Sequence, residues 1–219
     1  TRIEMNKGRA TGIELQDGQV EEADIIISAA DGHATLFGLL RDNYTTPELR
    51  ERFATQSLYP SFIQVSLGVN RDLSGTPHAV KAQTAEPFEI AGQTRQELWY
   101  QHFAFDPTLA PRGKTPFTVL YPSDLDWWEN LGYGTEAYQA EKQKILETTV
   151  AQLDKFLPGI SSQIVVEDVS TPFTIQRYTN NWHAAPGFML TTDLAADMVM
   201  HPQYALPGLD GFYMIGQWV

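Results

Sequence analysis

The 219-residue sequence contains no cysteine. Disulfides, thiolate catalysis and cysteine metal sites are therefore excluded, and a reducing compartment is allowed. The five histidines, His33, His78, His102, His183 and His201, show none of the HExxH or HxxxH spacings that place two ligands on one helix face. No GxSxG elbow is present, which removes the serine hydrolase reading. A complete phosphate-binding glycine motif is also absent. Gly113-Lys114-Thr115 resembles the tail of a P-loop, but Thr108 stands where the earlier glycine is required. Gly132-Tyr133-Gly134 lacks the third glycine of GxGxxG and reads as a turn between helices. No apolar run approaches the roughly 20 residues that span a bilayer. Positive charge is in deficit, with 15 Lys+Arg against 27 Asp+Glu and a net charge of −12, which argues against nucleic acid as a partner. The expected compartment is cytoplasmic, with peripheral membrane contact left open.

What is present is enough for a sizeable core, since 42% of the residues are hydrophobic. The last eight residues, Phe212-Tyr213-Met214-Ile215-Gly216-Gln217-Trp218-Val219, follow a Pro/Gly/Asp turn and read as a buried strand without a polar end. The start enters an alternating strand pattern directly, without an initiator methionine. Both ends therefore read as cuts within a longer chain. Strand edges near Ile25-Ile26-Ile27 and Tyr213-Met214-Ile215 are expected to expose apolar surface and to favour self-association.

In order, residues 2–29 read as a three-strand meander with a hairpin signal at Asp17-Gly18. Its third strand, residues 20–29, ends in an apolar run expected to be covered on both faces. Asp31 is placed to cap a helix over residues 32–40, and Thr46-Pro47-Glu48 opens another. From Ser61, Ile63, Val65, Leu67 and Val69 alternate with Gln64, Ser66 and Gly68, so that one strand has an apolar face and a small, polar face. Further strands are expected at residues 80–84, 98–105, 117–121 and 164–169, paired antiparallel. The clearest helix covers residues 135–157, and a short one residues 194–200. Residues 171–188 are rich in aromatic and polar side chains. By residue type alone they read as a loop whose aromatics pack on the long helix and whose Arg177 pairs with a surface carboxylate.

Taken together these stretches resemble the phytoene dehydrogenase-like FAD-dependent oxidoreductases, the group of carotenoid desaturases, carotenoid isomerases and retinol saturases. The resemblance runs through residues 8–18, 23–36, 62–70, 105–111, 171–182, 206–209 and 214–219, and it rests on their order and spacing rather than on one motif. It implies an α+β fold with a largely antiparallel sheet flanked by helices, the substrate domain of a two-domain flavoprotein, together with remnant strands of a Rossmann-like FAD-binding domain. The implied division is residues 1–31 and 211–219 for the remnant and 32–210 for the substrate domain.

By the same resemblance, Ala30, Asp31, Gly216 and Gln217 would lie near FAD. Arg177, Tyr178, Trp182 and Gly187 would line the substrate side, with Gln64 and Ser66 forming a wall of the cavity. No catalytic residue is assigned and no metal is expected. The implied substrate is an apolar isoprenoid or polyene, acted on by desaturation, saturation or isomerisation. With the FAD pyrophosphate motif lacking, the isolated chain is expected to be inactive and to retain no flavin. Ala184 departs from the group, where glycine is frequent, which leaves the backbone near Trp182 open. Two other readings stand beside this one: a flavin-free module that binds a hydrophobic ligand, and an amine oxidase of similar architecture.

Overall fold

The structure is a computed structural model and describes residues 1–200 and 204–219; His201 lies outside the described residues. The chain forms two compact units, residues 1–59 with 176–219, and residues 60–175.

The second unit is built on a five-stranded antiparallel sheet. Its strands are β5 (Ser61–Val69), β6 (Ala79–Ile90), β7 (Gln93–His102), β8 (Thr115–Ser123) and β9 (Ile164–Ser170), in the spatial order β6-β7-β8-β5-β9. The alternation read from β5 holds along its whole length. Ile63, Val65, Leu67 and Val69 are buried, while Gln64, Ser66 and Gly68 are only half-buried. Phe117, Val119 and Tyr121 of β8 lie opposite Leu67, Val65 and Ile63 and extend the same apolar face.

The helix α3 (Glu136–Phe156) covers that face with Ile145, Leu146 and Leu153. Its N-terminus is capped, the Thr135 hydroxyl accepting from the Tyr138 N–H. It is preceded by α2 (Leu125–Leu131), and the glycines at 132 and 134 form the turn between the two helices. Two tyrosine hydroxyls within this core are paired: Tyr121 with Thr149 at 3.1 Å and Tyr138 with Thr171 at 2.9 Å. Burial without those partners would cost about 1–3 kcal/mol per group.

His102, 2% exposed, is held in the same unit. Its Nδ1 accepts from the Ala104 N–H, so Nε2 carries the proton and donates to Thr76 Oγ1 at 3.1 Å. The Thr76 hydroxyl passes its own proton to the Leu73 carbonyl.

The first unit contains a three-stranded antiparallel sheet, β1 (Arg2–Asn6), β2 (Arg9–Glu14) and β3 (Val20–Glu22). The single strand expected over residues 20–29 is two strands. β3 pairs antiparallel with β2, whereas β4 (Ile26–Ser28) pairs parallel with β10 (Phe212–Met214). Changing partner and direction requires the backbone to turn its hydrogen-bonding groups, and residues 23–25 make that change. Coverage on both faces is also corrected. Ile26 is buried, but Ile25 and Ile27 are each 59% exposed, and Tyr213 and Ile215 are exposed beside them.

Asp31 caps the following turn as expected, but residues Ala34–Leu39 form a π-helical turn rather than an α-helix. The helix α1 (Pro47–Thr55) starts at Thr46, with proline in its first turn. Residues 171–179, read as loop, contain the helix α4 (Pro172–Thr179), which spans only eight residues, too short a run for periodicity to set it apart, and Pro172 is buried at its start. α5 (Thr192–Met200) follows near its expected place. Leu36, Leu40, Phe53, Phe188, Phe212 and Trp218 form the core of this unit. The compact units divide the chain at 59/60 and 175/176, whereas the domain division implied by the resemblance was at 31/32 and 210/211. No helix among the described residues is long and apolar enough to cross a membrane.

Leu153 is fully buried between α3 and the sheet, so Leu153→Ala should lower stability by about 3 kcal/mol. The solvent-facing change Lys155→Ala should cost less than about 0.5 kcal/mol; urea midpoints measure both.

Burial holds the His102 imidazole below its ordinary pKa of 6.5, against the opposing pull of nearby backbone groups. The unfolded chain therefore takes up a proton more readily than the folded one, and stability falls as pH drops below about 6.5 toward the depressed folded value. His102→Gln should flatten that part of the curve, as chemical denaturation between pH 5 and 8 would show.

Candidate functional site

Two sets of residues carry the expected site, one in each unit. In the first unit, β4 and β10 run parallel, and the chain leaves both at their carboxyl ends. The Ile215 N–H donates to the Ser28 carbonyl at 2.9 Å, which brings Ala30 and Gly216 to one edge. Both are exposed. A side chain built at Gly216 would meet open space, and its φ of 109° suits glycine.

Asp31, only 3% exposed, has both carboxyl oxygens engaged. One accepts from the Ala34 N–H at 2.8 Å and the other from the Trp182 N–H at 3.1 Å. This one side chain therefore joins the start of the π-helical turn to a turn 151 residues later. The Trp182 indole stacks on His33, with centroids 4.6 Å apart and planes 7° apart. Phe53 meets both rings edge-on. Burial lowers the His33 pKa, Asp31 pulls it back up, and His183 adds to the lowering.

Close approach continues on the other side of the cluster. A Cβ at Gly32 would lie 2.7 Å from the Trp218 Cβ, so only glycine fits there. Gly187 packs against Gln217, 3.3 Å from its carbonyl oxygen when measured from an added Cβ. The backbone between Trp182 and Gly187 is answered as well. His183 and Ala184 have φ of 52° and 54°, so Ala184 occupies a left-handed conformation that glycine adopts with less strain.

The first unit thus brings together Ala30, Asp31, Gly216, Gln217, Trp182 and Gly187. Arg177 and Tyr178 are exposed on α4, with the guanidinium 5.7 Å from the Tyr178 ring centre. Of the aromatics read as packing on the long helix, Phe173 does so against Tyr138, while Tyr178 is 78% exposed.

Gln64 and Ser66 lie in the second unit, on the sheet face opposite α3. Gln64 Nε2 donates to Ser66 Oγ at 2.9 Å. Ser66 and Gly68 form the floor of a cavity of about 520 Å³, walled by Leu109 and Pro111 on one side and Val166 on the other. Its lining is overwhelmingly apolar. Thr118 and Asp168 also line it, and neither was singled out from the sequence, because only strand register places them beside Ser66. Among the described residues no cluster of three or more His, Cys, Asp or Glu could hold a metal ion.

The architecture is α+β, with a five-stranded antiparallel sheet flanked by helices in one unit and a parallel strand pair in the other. It is shared with an oxidoreductase from Methanosarcina mazei, with a TM-score of 0.57 over 99% of this chain and 42% of that one, at 18% identity. No protein-family model matches the chain. In sequence it is 28% identical over 225 residues to the neurosporene-forming phytoene desaturase of Rhodobacter capsulatus, covering 95% of this chain and 41% of that enzyme. It is 30% identical over 185 residues to the chloroplastic prolycopene isomerase of Daucus carota, covering 80% of this chain and 29% of that enzyme. The resemblance read from the sequence is borne out: the homologues of this chain are enzymes of the carotenoid desaturase family. The chain spans less than half the length of these curated relatives.

Asp31→Asn retains one acceptor and turns an amide donor toward the second backbone N–H. A loss of about 1–3 kcal/mol is expected, with weakened near-ultraviolet dichroism from the Trp182 stack. Unchanged melting and dichroism would show that the two hydrogen bonds do not hold the turn.

Proposed function

We propose that the chain is the substrate-binding portion of an FAD-dependent oxidoreductase that desaturates, saturates or isomerises an apolar isoprenoid or polyene. The observation that carries this reading is the apolar cavity on the small-residue face of β5, in a chain whose homologues are phytoene desaturases and prolycopene isomerases. A flat, extended hydrocarbon suits a wall whose side chains are Ser66 and Gly68 rather than large residues. Residues 32–210 would serve the substrate, and residues 1–31 and 211–219 the cofactor.

The residues present fit a flavin at one edge. Ligands of parallel sheets bind outside the carboxyl ends of the strands, where Ala30 and Gly216 offer exposed backbone and open space. Ala30, Gly216 and Gln217 would contact FAD. Asp31 would act at one remove, since both its oxygens already hold backbone N–H groups. When bound, flavin supplies hydride acceptance or donation. The chain's own part is to orient the substrate and exclude water, with Trp182, Gly187, Arg177 and Tyr178 on the substrate side. Self-association through the exposed Ile25, Ile27, Tyr213 and Ile215 belongs to the same proposal.

Phytoene delivered from detergent micelles should bind the purified chain. Ala110→Trp, a substitution in the loop that lines the cavity rather than in the sheet, should abolish that binding. Failure of the unaltered chain to bind any apolar polyene would overturn the reading. The purified chain should also carry no stoichiometric flavin absorbance, because no GxGxxG motif is present to hold the pyrophosphate.

A further inference from the structure

The mouth of the apolar cavity is itself apolar and open to solvent. Leu109, Val165 and Val166 all line it, yet they are 54%, 54% and 64% exposed. The two valines stand there together because β9 is bulged. Gly68 of β5 lies opposite Val166 and Val69 lies opposite Ile164, which makes Val165 an extra residue. In a regular strand the period of two would send one valine to each face of the sheet. Leu109 comes from the loop between β7 and β8, and short turns brace it. The Asp106 carboxyl accepts from the Thr108 N–H at 2.9 Å, and the Leu109 N–H donates to the Asp106 carbonyl. A bulge and a braced loop thus present three large apolar side chains to water around one opening.

Two cations stand beside that opening. Lys114 lines the cavity, and Arg112 precedes it by two residues; both are exposed. Neither forms an ion pair among the described residues. The carboxylates nearby are Asp106, held by Thr108, Asp72, held by the Ser74 N–H, and Asp168, which also lines the cavity. With a net charge of −12 the chain has no long-range attraction to an anionic surface, so the two cations act only at contact distance. A surface with exposed apolar side chains and cations beside them matches a bilayer interface, where acyl chains receive the former and lipid phosphates the latter. A second copy of the chain matches it less well, since a two-fold contact would set the patch against itself and oppose like charges.

We propose that the cavity mouth docks on a lipid bilayer, with Leu109, Val165 and Val166 entering the interface and Lys114 and Arg112 meeting its phosphates. The proposal rests on the reading of the cavity as the substrate site and adds the partner that delivers the ligand. Water disfavours a long hydrocarbon, which collects in bilayers. A mouth pressed against lipid lets such a ligand enter the cavity without crossing water, and the same apolar residues that cost exposure in the free chain are covered on docking.

The absence of cysteine allows a single reporter to be placed on the whole chain. Leu109→Cys and, among the exposed apolar residues of the other unit, Ile27→Cys are labelled with the polarity-sensitive fluorophore NBD and mixed with vesicles of phosphatidylcholine and phosphatidylglycerol. Emission from position 109 should rise and shift to the blue, and emission from position 27 should not. In vesicle flotation Val165→Asp and Val166→Asp should each weaken binding about tenfold, and Arg112→Gln and Lys114→Gln about fivefold each, with far-ultraviolet dichroism unchanged. Unchanged emission at 109, a shift at 27 instead, or vesicle binding that survives all four substitutions would overturn the proposal. So would a chain that ignores vesicles but loses an oligomer on Val165→Asp, because the mouth is then a contact between copies. Phytoene binding from detergent micelles separates docking from the reading beneath it. A chain that binds phytoene in micelles yet ignores vesicles keeps the cavity and loses the docking surface. A chain that docks through position 109 yet binds no polyene keeps the docking surface and loses the proposed function.

Discussion

A strand whose two faces differ in kind must be covered on one side and left accessible on the other, and β5 is that strand here. Ile63, Val65, Leu67 and Val69 can leave water only if an apolar helix lies across them, which places α3. Flanked by β8 and β9, β5 transmits the requirement to both neighbours through their register. The same alternation aims Gln64, Ser66 and Gly68 away from the helix. The packed face and the cavity face are thus two consequences of one period-two pattern, and a register slip of one residue would exchange them.

Asp31 plays a comparable part within the other unit. A buried carboxyl group is costly unless its oxygens find donors, and here two backbone N–H groups from distant segments supply them. Satisfying that side chain fixes where Trp182 begins its turn, and with it the His33 stack and the left-handed residues that follow. The strain at His183 and Ala184 is held in place by a fully buried Ala184 and by the rings around it.

Around the cavity, neighbouring strands contribute residues that no single strand could bring together. Ser66, Thr118 and Asp168 come from β5, β8 and β9, and register alone sets them side by side. On β5 and β8 the alternate residues Val65, Leu67, Phe117 and Val119 lie on the opposite, buried face.

How much was legible in the sequence depended on whether the signal was local. The alternation of β5, the helix α3, the turn at Gly132 and Gly134, the Pro47 helix start and the Asp31 cap are written within a few residues, and each stands where it was expected. The break between β3 and β4 was not legible, because it depends on which strands are available as partners, and the residues 23–25 carry no turn signal of their own. Helix α4 was hidden because it is only eight residues long, and so short a run gives periodicity too few positions to distinguish it from a loop. For the candidate site, Ser66 and Gly68 could be named from one strand, whereas Thr118 and Asp168 could not. Composition and periodicity determined that one face of β5 would be small and open. Only tertiary pairing decided what stands beside it, since a strand's neighbours are chosen by hydrogen-bond register across segments 50 to 100 residues apart.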